Sequence, residues 1–137
     1  MKKTINFAFI YAMVAICGGV FFREFTKFTG FVGKTTLSVV HVHFFALGML
    51  VMLLAALFCG QLPLAGNKKY GRFLLWYNIG LPLAGAMLFV RGLLQVLVPQ
   101  LSRGLSASIS GISGIAHVIL TVGLVYFFLA LREAAID

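Results

Sequence analysis

"LSVVHVHFFALGMLVMLLAALF", residues Leu37 to Phe58, carries no Lys, Arg, Asp or Glu over 22 consecutive positions, yet it holds two of the chain's three histidines, His41 and His43. A helix rises about 1.5 Å per residue and the hydrocarbon core of a bilayer is about 30 Å thick, so a run of this length can cross it. The rest of the chain agrees: 61% of the residues are apolar and 10% are charged, with a mean hydropathy of +1.06. A soluble 137-residue domain has no use for that much apolar surface, and the chain is predicted to be an integral membrane protein.

Four segments have the required length. They run over about 5–22, 37–58, 73–98 and 109–131. Arg23 and Glu24 close the first, which is followed by a loop with Lys27, Gly30, Gly33 and Lys34. Cys59, Gly60, Pro63, Gly66, Asn67, Lys68 and Lys69 end the second. The third is interrupted by Pro82 and Arg91 and stopped by Pro99. The fourth has a Ser/Gly-rich lead-in and is followed by Arg132 and Glu133. Continuous apolar runs without two-residue alternation argue for helices over a barrel. The fold class is all-α: a polytopic membrane protein whose residues 1–137 form a single four-transmembrane-helix bundle.

Lys2 and Lys3 ahead of an apolar run resemble the start of a signal peptide, but no small-x-small cleavage site follows. The first segment is expected to remain. The net charge of +8 comes from cations that flank the spans at both faces without interleaved aromatics. They suit anionic lipid head groups, and no nucleic-acid partner is expected. Lys2, Lys3, Lys68, Lys69, Arg72 and Arg132 fall on one side and Arg23, Lys27, Lys34, Arg91 and Arg103 on the other, so the bias places both termini in the cytoplasm. Cys17 and Cys59 fall near opposite faces and read as small apolar core residues.

The second and fourth helices of an up-down bundle run in the same direction, so depth can be counted from their starts. His43 lies about 9 Å below Leu37, and His117 about 12 Å below Ile109. Polar groups at membrane depth are costly and face the bundle interior, where they pair or serve a function. Two level imidazoles could ligate a haem iron from its two sides, with Arg23 and Arg91 available to its propionates. Ser106, Ser110 and Gly114 recur every four residues ahead of His117. Such a small face lets a partner helix or a flat porphyrin approach closely. His41 points about 200° away from His43, so the two cannot share one ion on an intact helix. His41 faces a second cofactor, a neighbouring subunit or a carbonyl to which it hydrogen-bonds.

Each feature also has a structural reading. The imidazoles can glue helices through hydrogen bonds, Arg91 can snorkel to the interface, and Asn78 can bond across the bundle above the kink at Pro82. Phe25, Phe28 and Phe31 read as an interfacial anchor or as a lid over a cofactor pocket. The only acids are Glu24, Glu133 and Asp137, none of them mid-membrane. There is no carboxylate pair for acid–base work, no phosphate-binding glycine loop and no nucleophile elbow. A binding or electron-transfer role fits better than an enzyme.

The stretch "VFFREFTKFTGFVGKTTLSVVHVH", Val20 to His43, resembles a family of short four-span bacterial membrane proteins of unknown function, which implies the bacterial cytoplasmic membrane. "HVHFFALGM", His41 to Met49, resembles the segment of the haem-copper oxidase catalytic subunit in which two histidines one residue apart ligate two haems. "AHVILTVG", Ala116 to Gly123, is similar to the motif carrying the opposite low-spin ligand there and in nitric-oxide-response membrane haem proteins. The resemblance implies haem b with His43 and His117 as low-spin ligands and His41 in the high-spin position. The oxidases' copper-binding histidines and cross-linked tyrosine have no counterpart, so oxygen reduction is not implied. Their three four-helix arcs imply a homo-oligomer, with three as the first number to try. The reading is a membrane haem-b protein for electron transfer, haem handling or gas and redox sensing, with an unidentified redox partner or quinone. The alternative is a cofactor-free accessory or transporter subunit with structural histidines.

Overall fold

The structure, a computed structural model, describes residues 1–98 and 100–135. Pro99, expected to stop the third span, and Asp137, the third acid, lie outside the described residues. The chain is helical throughout: α1 (Lys2–Thr29), α2 (Leu37–Gln61), α3 (Lys68–Leu97) and α4 (Arg103–Ala134), all long and apolar enough to cross a membrane. This is a multi-pass membrane protein. The start of α1, the end of α4 and the α2–α3 loop lie at one end, here the terminal end; the end of α1 and the starts of α2 and α4 mark the opposite, distal end.

Two helix starts are written into the sequence. Asn67 accepts the backbone N–H groups of Lys69 and Tyr70 at the start of α3, and Ser102 accepts that of Leu105 at the start of α4. Each satisfies donors that the first helical turn leaves unpaired. The Asn67 amide also donates to Glu133 at 3.0 Å, tying the start of α3 to the end of α4. That bond, with Lys69 next in effect, holds the Glu133 carboxyl below its ordinary range. The end of α1 departs from expectation, because the helix continues through Arg23 and Glu24 to Thr29 and stops at Gly30 in the left-handed conformation, φ 66°. Charge marks where the hydrocarbon ends, whereas a helix ends where its carbonyls can be capped, and a left-handed glycine does that. Phe25 and Phe28 are therefore helical, with Phe28 93% exposed.

α2 is not a uniform α-helix. From Phe44 to Leu50, directly after His43, it widens into a π-helix. The Tyr77 hydroxyl of α3 donates to the carbonyl of Leu47 within that segment at 2.8 Å. Tyr11 of α1 packs against Gly48, stacks with Phe44 and donates through its hydroxyl to Asn78 at 2.6 Å. The expected cross-bundle bond of Asn78 is thus present, with α1 as its partner. Beside it an apolar cleft of about 550 Å³ opens between α1 and α3, lined by Met13, Cys17, Phe44, Pro82 and Phe89 among others. Cys17 is exposed on that surface rather than packed in the core.

The helices form an open ribbon. α2 packs along α1 and also touches α3, whereas α4 rests on α3 with no comparable contact to α1 or α2. Glycine sets the α3–α4 spacing. A Cβ on Gly80 would lie 2.5 Å from the Leu120 nitrogen, and one on Gly123 would lie 2.6 Å from the Tyr77 nitrogen. Only residues without a side chain let two backbones approach so closely. Phe73, Phe127 and Tyr70 then fill the terminal end of the seam, the first two stacked with centroids 4.5 Å apart.

Gly80→Ala is expected to destabilise the protein by about 2 kcal/mol, because the added methyl meets backbone that cannot move aside. Gly114→Ala meets nothing within 4 Å and is expected to be neutral; unfolding midpoints in mixed micelles compare the two. Tyr77→Phe removes one interhelical hydrogen bond and is expected to cost about 1 kcal/mol. Amide exchange of the π-helical segment should rise in that variant, while that of α1 should not.

Candidate functional site

α4 packs on α3 and meets α2 chiefly through the edge contact of Phe127 with Phe58 near the terminal end, which leaves a groove between α2 and α4 with α3 as its floor. Hydrogen bonds identify its walls. On one side the Thr36 hydroxyl donates to the Leu88 carbonyl at 2.8 Å and the Thr36 N–H donates to Gln95 Oε1 at 2.8 Å. On the other, the Arg91 guanidinium donates to Ser110 Oγ and, at 3.4 Å, to the Ser106 carbonyl. Leu88, Arg91 and Gln95 follow one another by three and four residues and form one strip of α3. That strip is flanked by Thr36, the residue just ahead of α2, and by Ser106 and Ser110 from α4.

His43 lies seven residues after Thr36, and His117 seven residues after Ser110. Seven residues are close to two full turns, so each histidine keeps the flank of its marker and lies about 10 Å toward the terminal end. Counted in this way, the two imidazoles fall on the facing flanks of α2 and α4 at a similar height. Ala116, adjacent to His117, is fully buried toward α3, whereas His117 is exposed and His43 half-buried.

The two rings are held alike. His43 Nδ1 lies 3.0 Å from the Val39 carbonyl, and His117 Nδ1 lies 2.7 Å from the Ser113 carbonyl, each four residues back on its own helix. A carbonyl only accepts, so each Nδ1 carries a proton, and the tautomer this selects has its lone pair on Nε2. Metal-binding histidines are commonly oriented by this kind of second hydrogen bond.

His41 is different. Its ring packs on Gly19 of α1, where a Cβ would lie 3.6 Å from it, and its Nδ1 is buried with no hydrogen-bond partner. A buried N–H left without an acceptor costs about 1–3 kcal/mol, so the proton belongs on Nε2 and no lone pair is offered there. His41 is not brought to the other two, and among the described residues no three His, Cys, Asp or Glu side chains converge on one point. Arg23 is also away from the groove: its side chain is 82% exposed on α1, and its ion-pair partner is the adjacent Glu24 at 3.8 Å.

Arg91 is half-buried at the distal mouth of the groove. A cleft of about 330 Å³ opens beside it, lined by Lys34, Arg91, Gln95, Val98, Leu101 and Ser106. Lys34, Gln95 and Thr36 were not singled out from the sequence. The signal that could have found them is the repeated seven-residue interval, which pairs a hydroxyl with a histidine on both α2 and α4, and the four-residue step from Arg91 to Gln95.

No curated protein and no solved structure matches the chain. The profile of one family matches residues 1–134. Its description is "Protein of unknown function (DUF2871)", and over that length the match makes this four-helix membrane protein a member of that family.

Proposed function

We propose that the protein binds haem b in the groove between α2 and α4, with His43 and His117 as its axial ligands. The observation that carries this reading is the matched pair of imidazoles, each anchored through Nδ1 to the carbonyl four residues back. A bis-histidine iron site needs a fixed tautomer and fixed ring planes, and own-helix carbonyls supply both. A groove open along one side suits a flat macrocycle, and the oxidase-like motifs around the two histidines support the same ligand chemistry. His43 is preferred over its neighbour because His41 would have to bury an unpaired N–H to offer a lone pair on Nε2.

Bound there, haem b would supply one-electron chemistry, or respond to small ligands that displace an axial histidine. The protein's part is to hold the two imidazoles apart at fixed orientation, to keep water from the iron and to leave one flank of the groove open to the bilayer. Electron transfer with a lipid-soluble or membrane-bound partner is the role that fits this placement best. The competing reading is a cofactor-free accessory subunit, in which the same two carbonyl bonds merely satisfy each imidazole locally.

Protein purified from haem-replete cells is expected to show a Soret band and sharp reduced α and β bands of six-coordinate low-spin iron. His43→Ala and His117→Ala should each convert the spectrum to five-coordinate high-spin or lose the haem. His41→Ala should keep the low-spin spectrum. A preparation that is colourless and takes up no added haemin would overturn the proposal in favour of the accessory subunit.

A further inference from the structure

We propose that the distal cleft is a binding site for a pair of carboxylates, and that it takes the two propionates of a haem seated between His43 and His117. The assignment rests on the haem reading and adds the orientation of the macrocycle to it.

The cleft presents donors. Lys34 comes from the α1–α2 loop, and Arg91 and Gln95 come from α3. Gln95 Oε1 already accepts the Thr36 N–H, so the amide turns its NH2 end elsewhere. Among the described residues no acid lines the cleft. Among the described residues the ion pairs are Arg23 with Glu24 and Lys69 with Glu133, so neither Lys34 nor Arg91 is neutralised by them. Two uncompensated cations beside one cleft repel each other unless an anion joins them. A site built of ammonium, guanidinium and amide donors selects a ligand that only accepts, such as an ionised carboxylate or a phosphate.

The cleft is also aligned with the groove. Ser110 donates to the Ser106 carbonyl at 3.0 Å and accepts from Arg91, which fixes the guanidinium on the flank that carries His117. Side chains on a helix lean toward its N-terminus. Both α2 and α4 begin at the distal end, so the two imidazoles lean toward the cleft. An apolar body at the histidine level with two anionic arms about 10 Å further out matches this layout, the spacing following from seven residues of helix. A porphyrin dicarboxylate has that form. Lys34 then takes the place that the sequence suggested for Arg23.

The test uses the full-length protein in nanodiscs of zwitterionic lipid, titrated with haemin and with haemin dimethyl ester, whose arms are uncharged. The wild type should bind the diacid about 10- to 100-fold more tightly, the range for losing charged hydrogen bonds. In Lys34→Met/Arg91→Gln that preference should collapse to near unity while the bound haem keeps its low-spin spectrum, because the axial ligands are untouched. Arg91→Lys should restore part of it. A wild type that binds diacid and diester equally, with low-spin spectra, overturns the carboxylate site and leaves the haem reading standing. Failure to bind either porphyrin overturns both. A preference abolished by phosphatidylglycerol in the disc would assign the cleft to a lipid phosphate and overturn the propionate assignment.

Discussion

The close approach of α3 and α4 is the constraint on which the remaining arrangement depends. Within a bilayer no hydrophobic force drives one apolar helix against another, so the seam is held by direct packing, and Gly80 and Gly123 allow that packing at backbone distance. Most of the buried surface of α4, with Ile109, Ala116, Gly123 and Ala130 in it, lies against that partner, and Phe127 alone of these also meets a ring of α2, that of Phe58. Nothing similar is left to draw it onto α2. The groove is thus what remains when a four-helix chain closes one very tight seam instead of a ring of looser ones.

The same economy explains the state of the polar groups. In hydrocarbon every donor and acceptor must find a partner nearby, and here most do so within a turn or across one seam. Tyr11 pairs with Asn78, Thr4 with Tyr70, and Tyr77 with the Leu47 carbonyl. His43 and His117 use the carbonyl four residues back, which costs no partner helix and leaves one nitrogen uncommitted. His41 packs its ring on α1 and has its Nδ1 buried without a partner. Two residues apart in sequence, His41 and His43 therefore differ in which nitrogen can donate and which can bind.

Much of this was legible in the sequence. The four spans followed from the length of their apolar runs. The separation of His41 from His43 followed from helical geometry alone. What could not be read was how the helices would be arranged around one another. An up-down bundle was expected to gather Arg23 and Arg91 at one pocket, but α1 packs on α2 and α3 and Arg23 stays exposed. Lys34 looked like an ordinary loop cation, because its nearness to Arg91 exists only once α2 is hung from α3 by Thr35 and Thr36. The length of α1 was underestimated because charged residues were taken to end a helix when they only end its contact with lipid.

The widened segment after His43 has a consequence for how sequence changes in α2 would propagate. Across the seven residues from Phe44 to Leu50 the slower winding amounts to roughly one extra residue, or about 100° of rotation. The distal part of α2, which aims Thr36 and His43 at the groove, is thereby phased separately from the terminal part, which seats Met52 and Ala55 in the core. Loss of a single residue within the segment would let α2 run as an unbroken α-helix, and the two halves would then compete over its azimuth. Chain length at this one place, as much as side-chain identity, decides whether the imidazole of His43 looks into the groove or away from it.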